Sequence, residues 1–372
     1  VLAGGGGGLA DDEVVDLTHV GVSCLALPMP PARASCNPCG SPQKCWHGAA
    51  RQGTLLAGRN EEEQAMGRAW TMIAGLAAAW TAGALAAEET APLIVEGSLE
   101  LAATGYTFTE GPAWDGARLI FSDIPGDTVY VLTPGEGAPE VLYTPSANAN
   151  GHTFDREGRL LNAEHGSGEI TRWTSEGGRQ TVAARYEGKR LNSPNDVVVR
   201  SDGLILFTDP PYGLGQRAAE LAFSGVFALD EASGRMVLID DALSRPNGLA
   251  LSPDERVLYV GDTATQTLWA YDLAADGTAS GKRLVADVTD ESKPGRVDGV
   301  RVDTAGRVWF TCPGGICVVD PASGAVIERL ATPKRSTNLA WGGADLSELY
   351  ITALTDVYRV RTRARGTGSS SR

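Results

Sequence analysis

Six short stretches of the chain begin with a carboxylate or carboxamide side chain and continue as an apolar run. These ring residues are Glu110, Asn150, Asn195 (followed by Asp196), Asn247, Asp298 and Asn338. Oxygen donors without thiolates or paired histidines suit a hard divalent cation such as Ca²⁺, Mg²⁺ or Mn²⁺ better than structural zinc. The alternative for any one of them is a strand-start residue that hydrogen-bonds channel water. For a set that holds Glu110 and Asp298 together, we favour the cation.

The spacing of these residues indicates how the fold positions them. Successive steps are 40, 45, 52, 51 and 40 residues, which is typical of a β-propeller with one four-stranded blade per repeat. A propeller superposes equivalent positions around its axis, so the six side chains should form one polar ring at the mouth of the central channel. The ends of the second strands, at Asp123, Asp209 and Asp262, should lie on the same face, one layer further out.

We therefore predict an all-β fold, a six-bladed β-propeller with four-stranded blades over residues 88–362. Alternating apolar residues rich in Val, Ile, Trp and Tyr, and turns such as Asp115-Gly116, support the strands of each repeat. The sixth repeat ends near Val360 without an outer strand. We expect the N-terminal segment 93–105 to pair onto the last blade and close the ring. The tail, residues 363–372, is expected to be disordered.

The front of the chain differs from the repeats. From Met66 a short basic start leads into an uncharged, Ala-rich stretch, and Ala84–Ala86 supplies small residues at the spacing that a signal peptidase reads. We interpret residues 66–87 as a secretory signal peptide, with an uncleaved membrane anchor as the alternative. Residues 1–65 would then be a non-native or disordered leader. The mature protein is expected to be periplasmic or secreted, monomeric and not stably inserted in a membrane.

Charge and motifs narrow the class of protein. A net charge of −14 argues against a nucleic-acid partner. No Gly-rich phosphate loop follows a strand and no Gly-x-Ser-x-Gly elbow occurs, which disfavours a nucleotide enzyme and a serine hydrolase. Cys312 and Cys317 flank Pro-Gly-Gly-Ile, and a hairpin there could join them. A disulfide and two buried thiols both remain open at this point.

Several motifs together identify a family. TEGPAWD, NGHTFDREGRLLNAEHG, GKRLNSPNDVVVRSDGLILFTDPPYG, RPNGLALSPDERVLYVGD and VDGVRVDTAGRVWF occur in that order. Over residues 105–360 the chain resembles the gluconolactonase/regucalcin (senescence marker protein) family. The resemblance implies one divalent metal held by Glu110, Asn247 and Asp298, with Asn195 touching metal or substrate. Ser193 stands where animal members carry an arginine, and Arg190 is the candidate substitute in substrate binding.

The resemblance also implies an activity, the hydrolysis of a sugar lactone by a carboxylic-ester hydrolase. The first choice of substrate is D-glucono-1,5-lactone, and Ca²⁺ is the first choice of metal, with Zn²⁺, Mn²⁺ or Mg²⁺ as alternatives. The metal would polarise the carbonyl, while Asp298 would serve as ligand and as base for water. His152, His165 and Tyr212 are candidates for substrate contact, against ordinary turn or loop packing. Alternative functions are hydrolysis of another lactone or an organophosphate, and a non-catalytic calcium-binding propeller.

Overall fold

The computed structural model describes residues 91–174 and 178–368, so the expected leader and signal peptide lie outside the described residues. Every regular element in these ranges is a β-strand. A search of the same ranges for a helix long and apolar enough to cross a membrane finds none.

The strands follow one another as six antiparallel sheets of four, which we number as blades in chain order. One strand, β1 (Glu100–Thr104), precedes blade one. Blade one contains β2 (Thr109–Trp114), β3 (Leu119–Asp123), β4 (Thr128–Leu132) and β5 (Glu140–Tyr143). Blade two contains β6 (Ala149–Phe154), β7 (Leu160–Glu164), β8 (Glu169–Trp173) and β9 (Arg179–Ala183). After the small hairpin of β10 (Arg185–Tyr186) and β11 (Lys189–Arg190), blade three contains β12 (Val197–Val199), β13 (Ile205–Asp209), β14 (Gly225–Asp230) and β15 (Arg235–Asp240). Blade four contains β16 (Pro246–Leu251), β17 (Val257–Asp262), β18 (Thr267–Leu273) and β19 (Ala279–Asp287). Blade five contains β20 (Val300–Val302), β21 (Val308–Cys312), β22 (Gly315–Asp320) and β23 (Ala325–Ala331). Blade six contains β24 (Asn338–Gly342), β25 (Glu348–Ala353) and β26 (Asp356–Arg361).

The sixth blade takes its outer strand from the N-terminal side of the domain. Its strand order is β1-β26-β25-β24, with Glu100 opposite Arg359 and Thr104 opposite Asp356. The Thr104 hydroxyl also donates to the Asp356 carboxylate at 2.7 Å. This pairing covers the free edge of β26. The predicted six-bladed propeller, closed by an N-terminal strand, is confirmed.

The apolar core is divided among the junctions between blades. Six clusters of buried apolar side chains each join one blade to the next, including the junction of blade six with blade one. The second strands β3, β13 and β21 are buried along their whole length because both faces of each sheet are packed. Alternation along the inner strands leaves the remaining side chains for the channel. The core therefore holds the ring residues in place from outside.

The end of the chain differs from the expectation. We expected disorder from residue 363, but residues 363–368 pack on the propeller. Ala364 is buried, and Gly366 forms a bridge to Asp303 of blade five. A Cβ atom at Gly366 would lie 1.9 Å from Cγ of Trp341, so the backbone passes directly over that indole. Small residues that fit against a large aromatic surface outweigh the polar composition of this segment.

The two cysteines of the described chain are joined. Cys312 ends β21 and Cys317 lies in β22, and their sulfur atoms form a disulfide. Both residues are buried. Of the two possibilities left open by the sequence, the structure has the disulfide.

Candidate active site

β-Bulges direct three of the ring residues into the channel. The pairing of β2, β6 and β16 with the following strands shifts register at Glu110, Asn150 and Asn247, respectively. A bulge leaves residues out of the hydrogen-bonded ladder and turns their side chains to a new direction. Asn195 and Asp298 lie in the loops that lead into β12 and β20. All five side chains thus escape the regular alternation of an inner strand.

A glycine follows four of the ring residues and lets neighbouring blades touch through their backbones. The contacts join Gly111 to Asn150, Gly151 to Asn195, Gly248 to Asp298 and Gly299 to Asn338. We call Gly111, Gly151, Gly248 and Gly299 the glycine collar. At Gly111, φ is +55° and a Cβ atom would lie 1.7 Å from the carbonyl oxygen of Asn150. No other residue fits there, and the close approach fixes the backbone of the ring.

Glu110 and Asp298 form a pair of buried acids from blades one and five, only 3% and 6% exposed. Oε2 of Glu110 accepts the Gly111 N–H at 2.7 Å and the Asn338 amide at 3.0 Å. Burial nevertheless raises the pKa of Glu110. Burial and the charge of Glu110 raise the pKa of Asp298 well above its usual range. The two carboxylates therefore oppose each other's ionisation, and a cation between them would relieve that cost.

The amide of Asn247 lies beside this pair and has a free oxygen. Its Nδ2 donates to the Thr263 hydroxyl at 3.0 Å, which donates in turn to the carbonyl of Val297 at 2.6 Å. The Asn247 amide also lies close enough to Asp298 to lower the pKa of that acid. Its buried Oδ1 has no hydrogen-bond partner in residues 91–174 and 178–368. An unpartnered amide oxygen next to two carboxylates fits a hard divalent cation.

The donor set is mixed in type. No group of three or more His, Cys, Asp or Glu side chains that could hold a metal occurs among the described residues. The expected donors, Glu110, Asn195, Asn247 and Asp298, are two acids and two amides. They fit a hard cation through oxygen atoms rather than a site built of imidazoles or thiolates.

The two candidate histidines have different environments. His152 is buried one layer below the ring, with one imidazole nitrogen 2.7 Å from the Ser122 hydroxyl and the other 2.8 Å from Asn162 Oδ1. Both of its nitrogens are used inside the protein, which differs from the expected substrate contact. His165 instead lies at the ring, with Nε2 3.1 Å from the Asn150 amide. Burial lowers the pKa of His165 to about 4, so it is neutral near pH 7.

Tyr212 and Arg190 also have different surroundings. Tyr212 is 39% exposed; burial raises the pKa of its hydroxyl, and nearby Thr263 and Asn247 lower it. Arg245 stacks over its ring at 5.1 Å. The Arg190 guanidinium donates to the Ser167 carbonyl, and its contacts therefore join blades two and three. The structure places Tyr212, but not Arg190, near a ring residue, Asn247.

The acids at the ends of the second strands serve the loops rather than the ring. Asp123 accepts the N–H groups of Thr107 and Phe108 at 2.9 and 3.0 Å, which precede Glu110. Asp262 accepts the two equivalent N–H groups before Asn247, and Asp209 accepts that of Asn192 before Asn195. These acids lie one layer out, as expected. Their charges are used to hold the loops that carry the ring.

Two arginines at the site were not foreseen from the sequence. Nη2 of Arg335 lies 3.9 Å from Oδ2 of Asp298, and the Arg335 charge lowers the pKa of that acid. Arg301 forms an ion pair of 3.2 Å with Asp196. In VRV, the alternation of a strand already directs Arg301 away from the core and into the channel, so this contact could have been anticipated. Arg335 lies in a loop, where no periodicity predicts its direction.

Comparisons with known proteins agree with this architecture. Residues 108–355 match the model of the SMP-30/Gluconolactonase/LRE-like region. The gluconolactonase of Zymomonas mobilis is 33% identical over 302 residues, covering 74% of this chain and 84% of the relative. The pentonolactonase of Haloferax volcanii is 30% identical over 67% of this chain and 82% of its own length. A solved gluconolactonase of Xanthomonas campestris is 34% identical, with a TM-score of 0.67, covering 73% of this chain and 91% of that structure.

These matches cover most of the propeller. The resemblance inferred from the motifs is confirmed, and with it the enzyme class of a lactonase-type hydrolase. The chain belongs to the SMP-30/gluconolactonase/LRE-like family.

Proposed function

We propose that the protein hydrolyses D-glucono-1,5-lactone in a reaction that requires one divalent metal ion. The observation that carries this proposal is the convergence of Glu110, Asp298 and the unpartnered Oδ1 of Asn247 at one end of the channel. The Zymomonas and Xanthomonas relatives support the substrate. Glu110, Asn195, Asn247 and Asp298 would hold the ion, and Ca²⁺ is the first candidate because all four offer oxygen.

When bound, the ion would polarise the lactone carbonyl and stabilise the negative charge that develops on its oxygen. Asp298 takes a proton from the attacking water as the new C–O bond forms. The bond between the carbonyl carbon and the ring oxygen then breaks, and Asp298 returns the proton to that oxygen. Burial and the charge of Glu110 raise the pKa of Asp298 from its ordinary value, which makes its carboxylate a better proton acceptor. Tyr212 and Asn195 orient the sugar hydroxyls.

The test is acid release from aldonolactones, followed in a pH-stat with chelated protein and after addition of Ca²⁺, Mn²⁺, Zn²⁺ or Mg²⁺. Glu110→Gln and Asp298→Ala should abolish turnover and leave the β-sheet circular dichroism unchanged. Glu140→Gln, at an exposed position of β5, is the matched control and should keep full activity. Near-normal rates in either site variant, or in chelated protein, would contradict the mechanism.

A five-membered pentonolactone is the second candidate substrate, and the Haloferax relative is the observation that favours it. Both ring sizes belong in the same substrate panel, where the ratio of kcat/KM values ranks them. An ion that binds without turnover of any aldonolactone would instead favour a non-catalytic calcium-binding propeller.

We also propose that the protein works in an exported, oxidising compartment. The Cys312–Cys317 disulfide supports this location, because disulfides persist in secreted and periplasmic proteins. Mass spectrometry of the protein from its own cells should find a mature N-terminus near Ala86 or Ala87. An uncut chain in the cytosolic fraction would contradict the proposal.

A further inference from the structure

Arg301 crosses the channel directly behind the ring. Its neighbours Val300 and Val302 are buried between blades four and five, so the alternation of β20 directs Arg301 toward the axis. Nη1 lies 3.2 Å from Oδ2 of Asp196 in blade three, and Nη2 lies 3.4 Å from the carbonyl oxygen of Pro112 in blade one. One guanidinium thus links three alternate blades.

In this position the Arg301 side chain lies directly beneath the ring and closes the channel on that side. On the far side it lines a cavity of about 460 Å³ at the opposite end of the propeller, together with Trp114 and Phe154 from the ends of inner strands. On the near side it contacts Asp196, which follows the ring residue Asn195. The arginine therefore lies between the ring and that cavity.

Three buried carboxylates share this part of the channel: Glu110, Asp196 and Asp298. Asp196 is fully buried, and its Oδ1 accepts the Val197 N–H at 2.9 Å. Arg301 contacts the carbonyl oxygen of Pro112, two residues after Glu110, and it lies three residues after Asp298 in the chain, so its guanidinium is placed near both acids as well as beside Asp196. When a bound cation keeps all three acids ionised, these three negative charges and the positive charge of Arg301 leave a net charge of −2. The charge of a divalent ion would balance it.

Arg335 adds a second positive charge, which acts on Asp298 more strongly than the charge of Asp196 does. Because Arg335 is the same in every variant compared below, it leaves the charge differences between those variants unchanged. Its side chain is 36% exposed, and it lies 3.9 Å from Asp298 at the solvent side of the ring. Solvent and salt screen such a charge, whereas they screen the Arg301–Asp196 pair much less, since its side chains are 15% and 0% exposed.

We propose that Arg301 determines the valence of the ion that the ring accepts. By pairing with Asp196, it leaves two uncompensated carboxylates and so favours divalent over trivalent cations. Each added negative charge attracts a trivalent ion more strongly than a divalent one, and charge left unbalanced in a buried site is costly. Arg301 is a specificity-determining residue that acts through Asp196 and touches neither ion nor substrate. The inference rests on the metal site of the proposed function.

The test compares the binding of Ca²⁺ and Tb³⁺ by isothermal titration calorimetry. The proteins are the chelator-stripped wild type, Arg301→Met, Asp196→Asn and the double variant. Met keeps the apolar stem of the arginine, and Asn keeps an oxygen for the Val197 N–H. Arg301→Met should raise the ratio of Tb³⁺ to Ca²⁺ affinity at least about tenfold, and Asp196→Asn should lower it by about the same factor. The double variant again has a net charge of −2, so its ratio of Tb³⁺ to Ca²⁺ affinity should return to within about threefold of the wild-type ratio.

Arg301→Lys keeps the positive charge and should leave the ratio within about threefold of the wild-type ratio. The proposal is overturned if both single variants lose affinity for the two ions equally, or if the double variant is worse than either, because Arg301 would then be only a structural brace. A wild type that binds neither ion overturns the proposal and the metal dependence together. If the affinity ratios change with net charge as expected, but chelation leaves lactone hydrolysis unaffected, only the proposed function is overturned.

Discussion

Asp209 should make the protein less stable as the pH rises, and removal of its charge should reverse this. The carboxylate is fully buried at the end of β13, where Oδ2 accepts the Asn192 N–H at 2.7 Å and Oδ1 has no partner among the described residues. Burial raises its pKa from 3.8 to about 7. Between these values the folded protein keeps a proton that the unfolded chain releases. The free energy of unfolding therefore falls with rising pH across this window and levels off above about pH 7.

The magnitude follows from the part of this window above pH 5. Within this window, each rise of one pH unit lowers the free energy of unfolding by about 1.4 kcal/mol. The wild-type protein should therefore lose about 3 kcal/mol of unfolding free energy between pH 5 and pH 8 through Asp209. The Asp209→Asn variant has no carboxyl proton to release, so it cannot lose this part of its unfolding free energy. The difference in unfolding free energy between variant and wild type should shift by about 3 kcal/mol in favour of the variant from pH 5 to pH 8. Any fixed cost of the new amide cancels from this shift, as do the groups that both proteins share.

The assay is equilibrium unfolding in urea at both pH values, with chelator present throughout. Asp262→Asn is the matched control, because Asp262 has the same position in blade four but both of its oxygens accept N–H groups. Replacing one oxygen by NH₂ there leaves a donor without an acceptor and should lower the free energy of unfolding by about 1–3 kcal/mol at pH 8. If the Asp209→Asn difference is the same at pH 5 and pH 8, the reasoning from burial is refuted.

Three further outcomes are expected. Tyr212→Phe should lower kcat/KM for the lactone about fivefold, mainly through KM, by removing one hydroxyl hydrogen bond at the rim; an unchanged KM would exclude a substrate contact. Gly111→Ala should prevent soluble expression or cost more than about 3 kcal/mol in urea unfolding, because its Cβ would overlap the Asn150 carbonyl; wild-type stability would contradict the collar. Replacing Cys312 and Cys317 together by Ser should cost about 2 kcal/mol of unfolding free energy, as for a short closed loop, and a neutral effect would contradict a structural role.

The positions that repeat were predictable, because a propeller converts sequence period into angular position. Glu110, Asn247 and Asp298 could be expected around one axis before their contacts were known, since equivalent places in blades one, four and five converge. The closure of blade six by β1 followed in the same way from a repeat that lacked an outer strand. The period of the repeats and the pairing of consecutive strands can be read from the sequence, and here they are enough to predict most of the fold.

Side-chain direction near the ring was less predictable. In the sequence His152 is closer to a ring residue than His165 is, yet the bulge in β6 breaks the alternation, and both nitrogens of His152 are bonded inside the protein. Arg190 was a candidate for substrate binding, but it lies in the hairpin of β10 and β11, which is not part of the repeat and so gives no period from which its direction could be predicted. The order of residues 363–368 depends on Trp341, whose contact with Gly366 is remote in sequence. Each of these differences comes from a tertiary contact that composition and spacing do not encode.

The glycine collar has a consequence for how this enzyme could change its specificity. At four of the six junctions the main chain of one blade meets the next at a collar glycine, so the width of the aperture there is set by peptide groups and not by replaceable side chains. Widening it would require several blades to separate together, which their shared apolar junctions oppose. New substrates would therefore be accommodated by variation in the loops above the aperture, while the opening itself keeps one diameter.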